Sequence, residues 1–436
     1  MYEIVLAVVL ILSLLVFLSA GLWIGLSLLG VGLLAMVAFT TRPVGDALAT
    51  TIWAHTSLWG LASLPVFIWM GEILFRTKLS QSLFNGLGPL MRRMPGGLLH
   101  VNIVGCATFA AISGSSAATL VTIGKITVPE LQKRGYPDNM AFGTLAGAGT
   151  LGLLIPPSIT MIVYGITVQE SIGRLFIAGI LPGIMLALLF VGYVVVWGIT
   201  TEEGRKHREA PATWKEKLIG IKELAPVVCL IISVIGSIYV GIASPTEAAV
   251  LGVVGALILS AIQGSLNWES FSTSLMGATK TTSMIMLLLA GASFLTLAMG
   301  FTGLPRALAD WISGMHLAPW MLIVALTVFY IVLGMFLDGI SSIVLTMAVI
   351  EPLVRGAGID MIWFGIFVVL VGEMAMITPP VGFNLFLIQS MTGRDIVFIA
   401  KSAIPMFMLM VVAVILLTIF PQIALWLPEV MMAQRN

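Results

Sequence analysis

The chain has 436 residues, of which 59% are hydrophobic and 9% charged, with a formal net charge of +1. A soluble domain carries about 25% charged residues, and a mean hydropathy of +1.10 leaves too little polar surface to cover a water-soluble core of this length. These figures exclude a soluble globular protein and a nucleic-acid binder, and make the bilayer the solvent.

Hydrophobic runs lie at 4–20, 23–39, 58–75, 98–131, 139–165, 173–200, 225–243, 246–263, 283–301, 319–354, 361–390 and 397–427. Most approach the ~20 residues that span a bilayer core. The first run lacks a basic flank and carries Glu3, so it reads as a retained membrane helix and not as a cleaved leader. The runs at 98–131 and 319–354 are interrupted by Ser113-Gly114-Ser115-Ser116 and by Asp338-Gly339-Ile340-Ser341-Ser342. Each half is too short for comfortable crossing, which predicts two re-entrant hairpins buried in protein or lining a wet cavity.

The polar stretch 201–224 divides the chain into halves that match. Pro379-Pro380 lies 223 positions after Pro156-Pro157, Pro352 lies 223 after Pro129, and the tip Asp338-Gly339 lies 225 after Ser113-Gly114. The organisation expected is a first repeat over 1–200, a connecting loop over 201–224 and a second repeat over 225–436. Each repeat holds about five crossings plus a hairpin, and the odd number of crossings turns the second repeat upside down. The expected fold class is therefore an all-α polytopic membrane protein with two inverted repeats. Arg76, Lys78, Arg92, Arg93, Lys133 and Arg134 flank the first hairpin, and the 201–224 loop is equally basic. The positive-inside rule puts both on the cytoplasmic side, the second hairpin on the outer side, and both termini in the periplasm.

Chemistry concentrates where helices break. At each tip, free carbonyls and hydroxyls suit Na⁺, while exposed N–H groups at a helix start suit a carboxylate. Pro156 and Pro157 cannot donate to the carbonyls of Gly152 and Leu153, nor Pro379 and Pro380 to those of Ala375 and Met376. Discontinuous helices at repeat-related positions point to a transporter site. Asp338 at the second tip and Glu373 at the second break are charges in apolar segments, where the repeat mates are neutral, Ser113 and Thr150. Lys125 also falls in an apolar hairpin arm and either snorkels or pairs with an acid. Glu130 reaches water at the arm's end, and Glu72 and Glu247 are ordinary helix-end charges. Residues 77–95 and 302–318 read as interfacial amphipathic helices, as does the pair 44–57 and 267–281.

Cys106 and Cys229 read as packing residues, and His55, His100, His207 and His316 as surface residues, not ligands. No phosphate-binding G-x-x-x-x-G-K-[ST] motif and no His/Cys metal spacing occurs, so neither direct ATP drive nor a transition-metal site is expected.

The ISGSSAAT tip, the GTLGLLIPPSI break and the LDGISS and ITPPVG pair resemble the large membrane subunit of TRAP (tripartite ATP-independent periplasmic) transporters over essentially the whole chain. The resemblance implies a Na⁺-driven elevator in the bacterial inner membrane, with Na⁺ as coupling ion and no other cofactor. It also implies two partners, a separate four-helix membrane subunit and a periplasmic substrate-binding protein. Its substrates are organic acids such as dicarboxylates, sialic acids and sugar acids. By motif, it carries sodium contacts onto Ser113, Gly114, Ser116, Gly149, Thr150, Asp338, Gly339, Ser341, Gly372 and Glu373. Substrate contacts fall on Ser115, Thr119, Pro156, Pro157, Ser342, Thr378, Pro379 and Pro380.

Three other readings compete. A self-sufficient dicarboxylate carrier of the same wider group shows a Ser-Asn-Thr signature at its tips, and neither tip here has Asn. A membrane-embedded enzyme needs a recurrent acid, base or nucleophile constellation that the spans lack. A channel needs an open pore, where broken hairpins favour alternating access.

Overall fold

In the computed structural model the chain is helical. The structure describes residues 2–77, 79–206, 212–304, 307, 318–379 and 382–433, and no strand occurs among them. Among the described residues, six helices are long and apolar enough to cross a membrane, or up to eight if each of two bent pairs is one span. Apolar side chains cover the outside in stripes. Val250, Val254, Ile258 and Ile262 follow one another at four-residue spacing and are all exposed, as are Val324, Val328 and Val332. Such stripes are favourable only where hydrocarbon replaces water.

Helix boundaries follow local chemistry. Thr213 caps Trp214–Val240 through a reciprocal bond with Glu216, and Asp360 and Asp395 cap Met361–Met376 and Ile396–Ile419. Each satisfies backbone donors that a helix start leaves orphaned. The apolar run 397–427 is not one element: Ile396–Ile419 ends at Phe420, and Gln422–Ala433 is separate, because Pro421 cannot continue the ladder.

The packing is repeat-related. Ile24–Phe39 lies along Trp268–Thr302, and Pro245–Ile262 lies along Ser63–Arg76, each helix taking as neighbour the mate of the other's neighbour. Small residues make this possible. A side-chain carbon added at Gly291 would fall 2.4 Å from the Gly25 carbonyl oxygen, and one at Gly32 would fall 2.8 Å from the Phe294 ring. The halves are not identical. Residues 44–76 form two pieces, Val44–Thr56 and Trp59–Arg76, bent by 57°. The stretch 223 positions later is one 35-residue helix, Trp268–Thr302. The expected separation of an interfacial 267–281 from a span at 283–301 is therefore corrected: no break occurs in that helix.

Two helical pairs occupy the expected hairpin positions. The first is Leu99–Ser113 with Ser116–Lys133, and the second is Pro319–Gly334 with Gly339–Gly356. The arms of the second are tied by a 2.8 Å bond between Tyr330 Oη and Thr346 Oγ1. Two interrupted helices also appear. One comprises Asp138–Gly149, Leu151–Leu154 and, after Pro156-Pro157 and a 42° bend, Ile159–Thr167. The other is Met361–Met376 followed by Phe383–Thr392. Leu79–Met91 forms the helix expected before the first hairpin. Its counterpart over 302–318 lies largely outside the described residues.

Two minor readings change. Cys229 is exposed and only Cys106 is buried. His100 is fully buried and its Nε2 bonds the Pro95 carbonyl at 2.7 Å. His207 and His316 lie outside the described residues.

Candidate functional site

The first tip is a two-residue break. Gly114 has φ +58°, and an added side-chain carbon would meet the Pro157 carbonyl oxygen at 2.8 Å. Only glycine takes that left-handed turn without strain in so little space. Ser115 then caps the second arm, its Oγ accepting from the Ala118 N–H at 3.4 Å. Ser113 Oγ and Thr119 Oγ1 share a 2.7 Å bond across the break. The tip leans on the first interrupted helix: a carbon at Gly152 would lie 2.6 Å from Ser116 Cα and 2.7 Å from the Ser115 carbonyl oxygen.

At the second tip Asp338 is exposed and acts as a cap, its Oδ2 accepting from Ile340 and Ser341 N–H at 3.2 and 3.4 Å. Asp338 lies 223 positions after Ser115, the cap of the first hairpin, and 223 is also the offset of the double prolines. The tips therefore correspond as Ser115 with Asp338 and Ser116 with Gly339. The alignment of Ser113-Gly114 with Asp338-Gly339 is corrected by two positions. No left-handed residue occurs at the second break, so Gly339 is not the counterpart of Gly114.

The two tips meet both interruptions. Ser116 Oγ donates to Glu373 Oε1 at 2.5 Å, joining the first hairpin to the second interrupted helix. Glu373 is 1% exposed, and its Oε2 has no hydrogen-bond partner. A carbon at Gly372 would lie 4.0 Å from Gly339 Cα, and one at Gly334 would lie 2.6 Å from Ala375 Cβ, so the second hairpin packs on this same helix. A carbon at Gly339 would also come within 3.7 Å of Leu153 in the first interrupted helix.

Other expected residues take quieter places. Thr150 Oγ1 bonds the Gly147 carbonyl at 2.6 Å, within its own helix. Gly149 is covered by Leu120. Ser341 and Ser342 are buried, and Ser342 Oγ has no partner. Thr378 bonds the Met374 carbonyl at 2.7 Å. Pro156 and Pro157 are buried while Pro379 is exposed, and Pro380 lies outside the described residues.

A cavity of about 330 Å³ opens beside the first tip. Ser113 and Ser115 line it, with Glu72, Phe75, Val121 and Thr281 among its other walls. Glu72 lines this cavity while pairing with Arg76 one turn on at 2.9 Å, as the helix-end charge expected from sequence does. Asn384 was missed. It is fully buried, and both its amide atoms lack partners. The helix Phe383–Thr392 packs on Ser116–Lys133, with Met391 3.0 Å from the space beside Gly124. The preceding helix touches Ser116 through Glu373. A larger cavity of about 860 Å³, with Ser171, Arg174 and Ser244 in its lining, holds none of the expected site residues. Among the described residues no cluster of His, Cys, Asp and Glu could hold a metal ion through three such side chains.

Two hairpin tips packed against two interrupted helices, in a bundle of apolar spans, define a multi-pass membrane permease. The model for "Tripartite ATP-independent periplasmic transporter, DctM component" matches residues 11–423, and the chain belongs to that family. It is 30% identical over 403 residues to the C4-dicarboxylate TRAP transporter large permease protein DctM of Pseudomonas aeruginosa, covering 91% of this chain and 92% of that one. It is 31% identical over 370 residues to the ectoine TRAP transporter large permease protein TeaC of Halomonas elongata, covering 85% and 86%. Among solved structures, the Alcanivorax borkumensis YdaH transporter shares the fold, with a TM-score of 0.61, 15% identity and coverage of 86% and 87%.

Proposed function

We propose that this chain is the large membrane subunit of a Na⁺-coupled, binding-protein-dependent importer of an organic acid, working as an elevator in the bacterial inner membrane. The observation that carries the reading is the bond from Ser116 to Glu373, with the second carboxylate oxygen left open in a buried centre. A carboxylate oxygen short of a partner is costly in such a place unless a proton or a cation completes it. Hard cations take oxygen ligands, and an intramembrane acid is a coupling-site residue by default. Glu373, Ser116, Gly372 and Gly339 form the favoured sodium region, with Ser113 and Gly114 at the first tip and Asp338 and Ser341 at the second. Gly149 and Thr150 support the first interruption from behind.

Substrate then occupies the space by Ser115, Thr119 and Ser342, between the tips and the prolines at 156–157 and 379–380. The relatives named above transport a C4-dicarboxylate and ectoine, both of which carry a carboxylate, and dicarboxylates, sialic acids and sugar acids all fit that class. The hairpins re-enter the membrane from opposite sides, the termini face the periplasm, and the partners are a small membrane subunit and a periplasmic binding protein. Reconstitution of the membrane subunits with the binding protein under an imposed Na⁺ gradient tests the reading. Uptake should require Na⁺ and the binding protein and should proceed without ATP. Uptake by this chain alone, or driven by ATP alone, would overturn it.

A further inference from the structure

Two exposed lysines lie close in sequence to the walls of the cavity beside the first tip, and neither has an ion-pair partner among the described residues. Ala118 and Val121 line the cavity from the second arm of the hairpin. Lys125 stands four positions beyond Val121, on the same helical face, and is exposed. The nearby acids are already engaged. Glu72 bonds Arg76 at 2.9 Å, and Glu130 bonds Arg134 at 2.6 Å. Across the cavity, Thr281 contributes to the wall from Trp268–Thr302. On that helix Gly277 faces the Glu72–Arg76 pair, and Lys280, three positions further, is exposed. Ile68, Phe75, Val121 and Ile159 are apolar parts of the same lining as Ser113 and Ser115.

We propose that Lys125, supported by Lys280, is a cationic collar that draws organic carboxylates to the tip cavity. The inference rests on the transporter reading above and names a charge filter for it. Seven residues of helix separate Ala118 from Lys125, about 10 Å along the axis. Lys125 therefore does not hold the group seated at Ser113 and Ser115; it raises the local concentration of anions that reach them. Cationic solutes are repelled by the same charge.

The test reads the electrostatics directly and needs no transport. Ala118→Cys is placed in the full chain in membrane vesicles, with Cys229→Ser removing the exposed thiol. Its reaction rates with an anionic and a cationic methanethiosulfonate of similar size are compared. The anionic reagent should react faster, and Lys125→Gln should lower the anionic-to-cationic rate ratio by about four-fold or more, the effect of one charge at this range. Lys125→Arg should keep the ratio. Succinate or sialic acid at millimolar concentration should slow the reaction more with Lys125 present than with Lys125→Gln. A ratio unmoved by Lys125→Gln would mean that the ammonium serves lipid headgroups, and would overturn the proposal. So would Ala118→Cys that reacts with neither reagent, because the cavity would then be closed to ions. A chain that failed to couple uptake to Na⁺ would leave these rates unchanged, so the two failures are distinguishable.

Discussion

Ser116 and Glu373 stand 257 positions apart in the chain, and the hydroxyl of one meets the carboxylate of the other at 2.5 Å. One belongs to the first hairpin tip and the other to the second interrupted helix, so a single bond spans the two repeats. A hydrogen bond to a charged group contributes about 1.5–3 kcal/mol. Ser116→Ala and Glu373→Gln should each lower the melting temperature. Their double-mutant cycle should show a coupling of about 1–3 kcal/mol, since the residues touch. Under the proposed sodium role, Glu373→Gln should also raise the Na⁺ concentration for half-maximal uptake about 5- to 150-fold, the range those energies convert to. Additive effects on stability with an unchanged Na⁺ titration would leave the pair a structural tie only.

Asp338 gives a contrasting case. Its carboxylate is exposed and caps the second arm, and Asn is an equally good cap. Asp338→Asn should therefore leave stability nearly unchanged, whereas Asp338→Ala should lose about 0.5–2 kcal/mol. The Na⁺ titration separates the roles further: a shift for Asp338→Asn as large as that for Glu373→Gln would move the main cation contact to the second tip.

Gly152 tests how closely the tip must sit. A methyl group there would lie 2.6 Å from Ser116 Cα, against backbone that has no rotamer to yield. Gly152→Ala should cost about 1–3 kcal/mol, the scale of overpacking. It should also disturb the Ser116–Glu373 bond, so uptake should fall while expression in the membrane persists. Gly300→Ala, where nothing lies within 4 Å, is the matched control and should be silent.

Asn384 should trade stability for function. Both ends of its amide are buried without partners, which costs about 1–3 kcal/mol. Asn384→Leu should raise the melting temperature and lower Na⁺-driven uptake, as residues kept for function against stability do. A variant that gained stability and kept full uptake would show that the amide serves neither ion nor substrate.

Much of the architecture was legible because hydropathy and proline are local signals. The runs at 98–131 and 361–390 became helices within a few residues of their expected limits, and Pro156-Pro157 fell in an interruption, as did Pro379. The tip register differs by two positions from the glycine-to-glycine alignment. The repeated device is the N-cap, Ser115 in one half and Asp338 in the other, and capping tolerates different residue types. Glu373 and Ser116 were each singled out, but their contact was not, since one sequence carries no pairing information over 257 positions. His100 departs from its expected surface place for a related reason. Residue type gave a surface prior, and tertiary neighbours set the actual burial and position.

The unequal mates Val44–Arg76 and Trp268–Thr302 carry a last consequence. At 1.5 Å per residue the unbroken helix is about 52 Å long, well beyond a hydrocarbon core of about 30 Å, so it behaves as a tilted beam. Its mate has an elbow at Ser57 and Leu58. If two repeats were mechanically identical, exchanging their shapes would connect two end states of equal energy. A beam on one side and an elbow on the other lifts that degeneracy. Under the proposed elevator reading, the empty permease then has a built-in resting side, set by the frame before any ion or substrate binds.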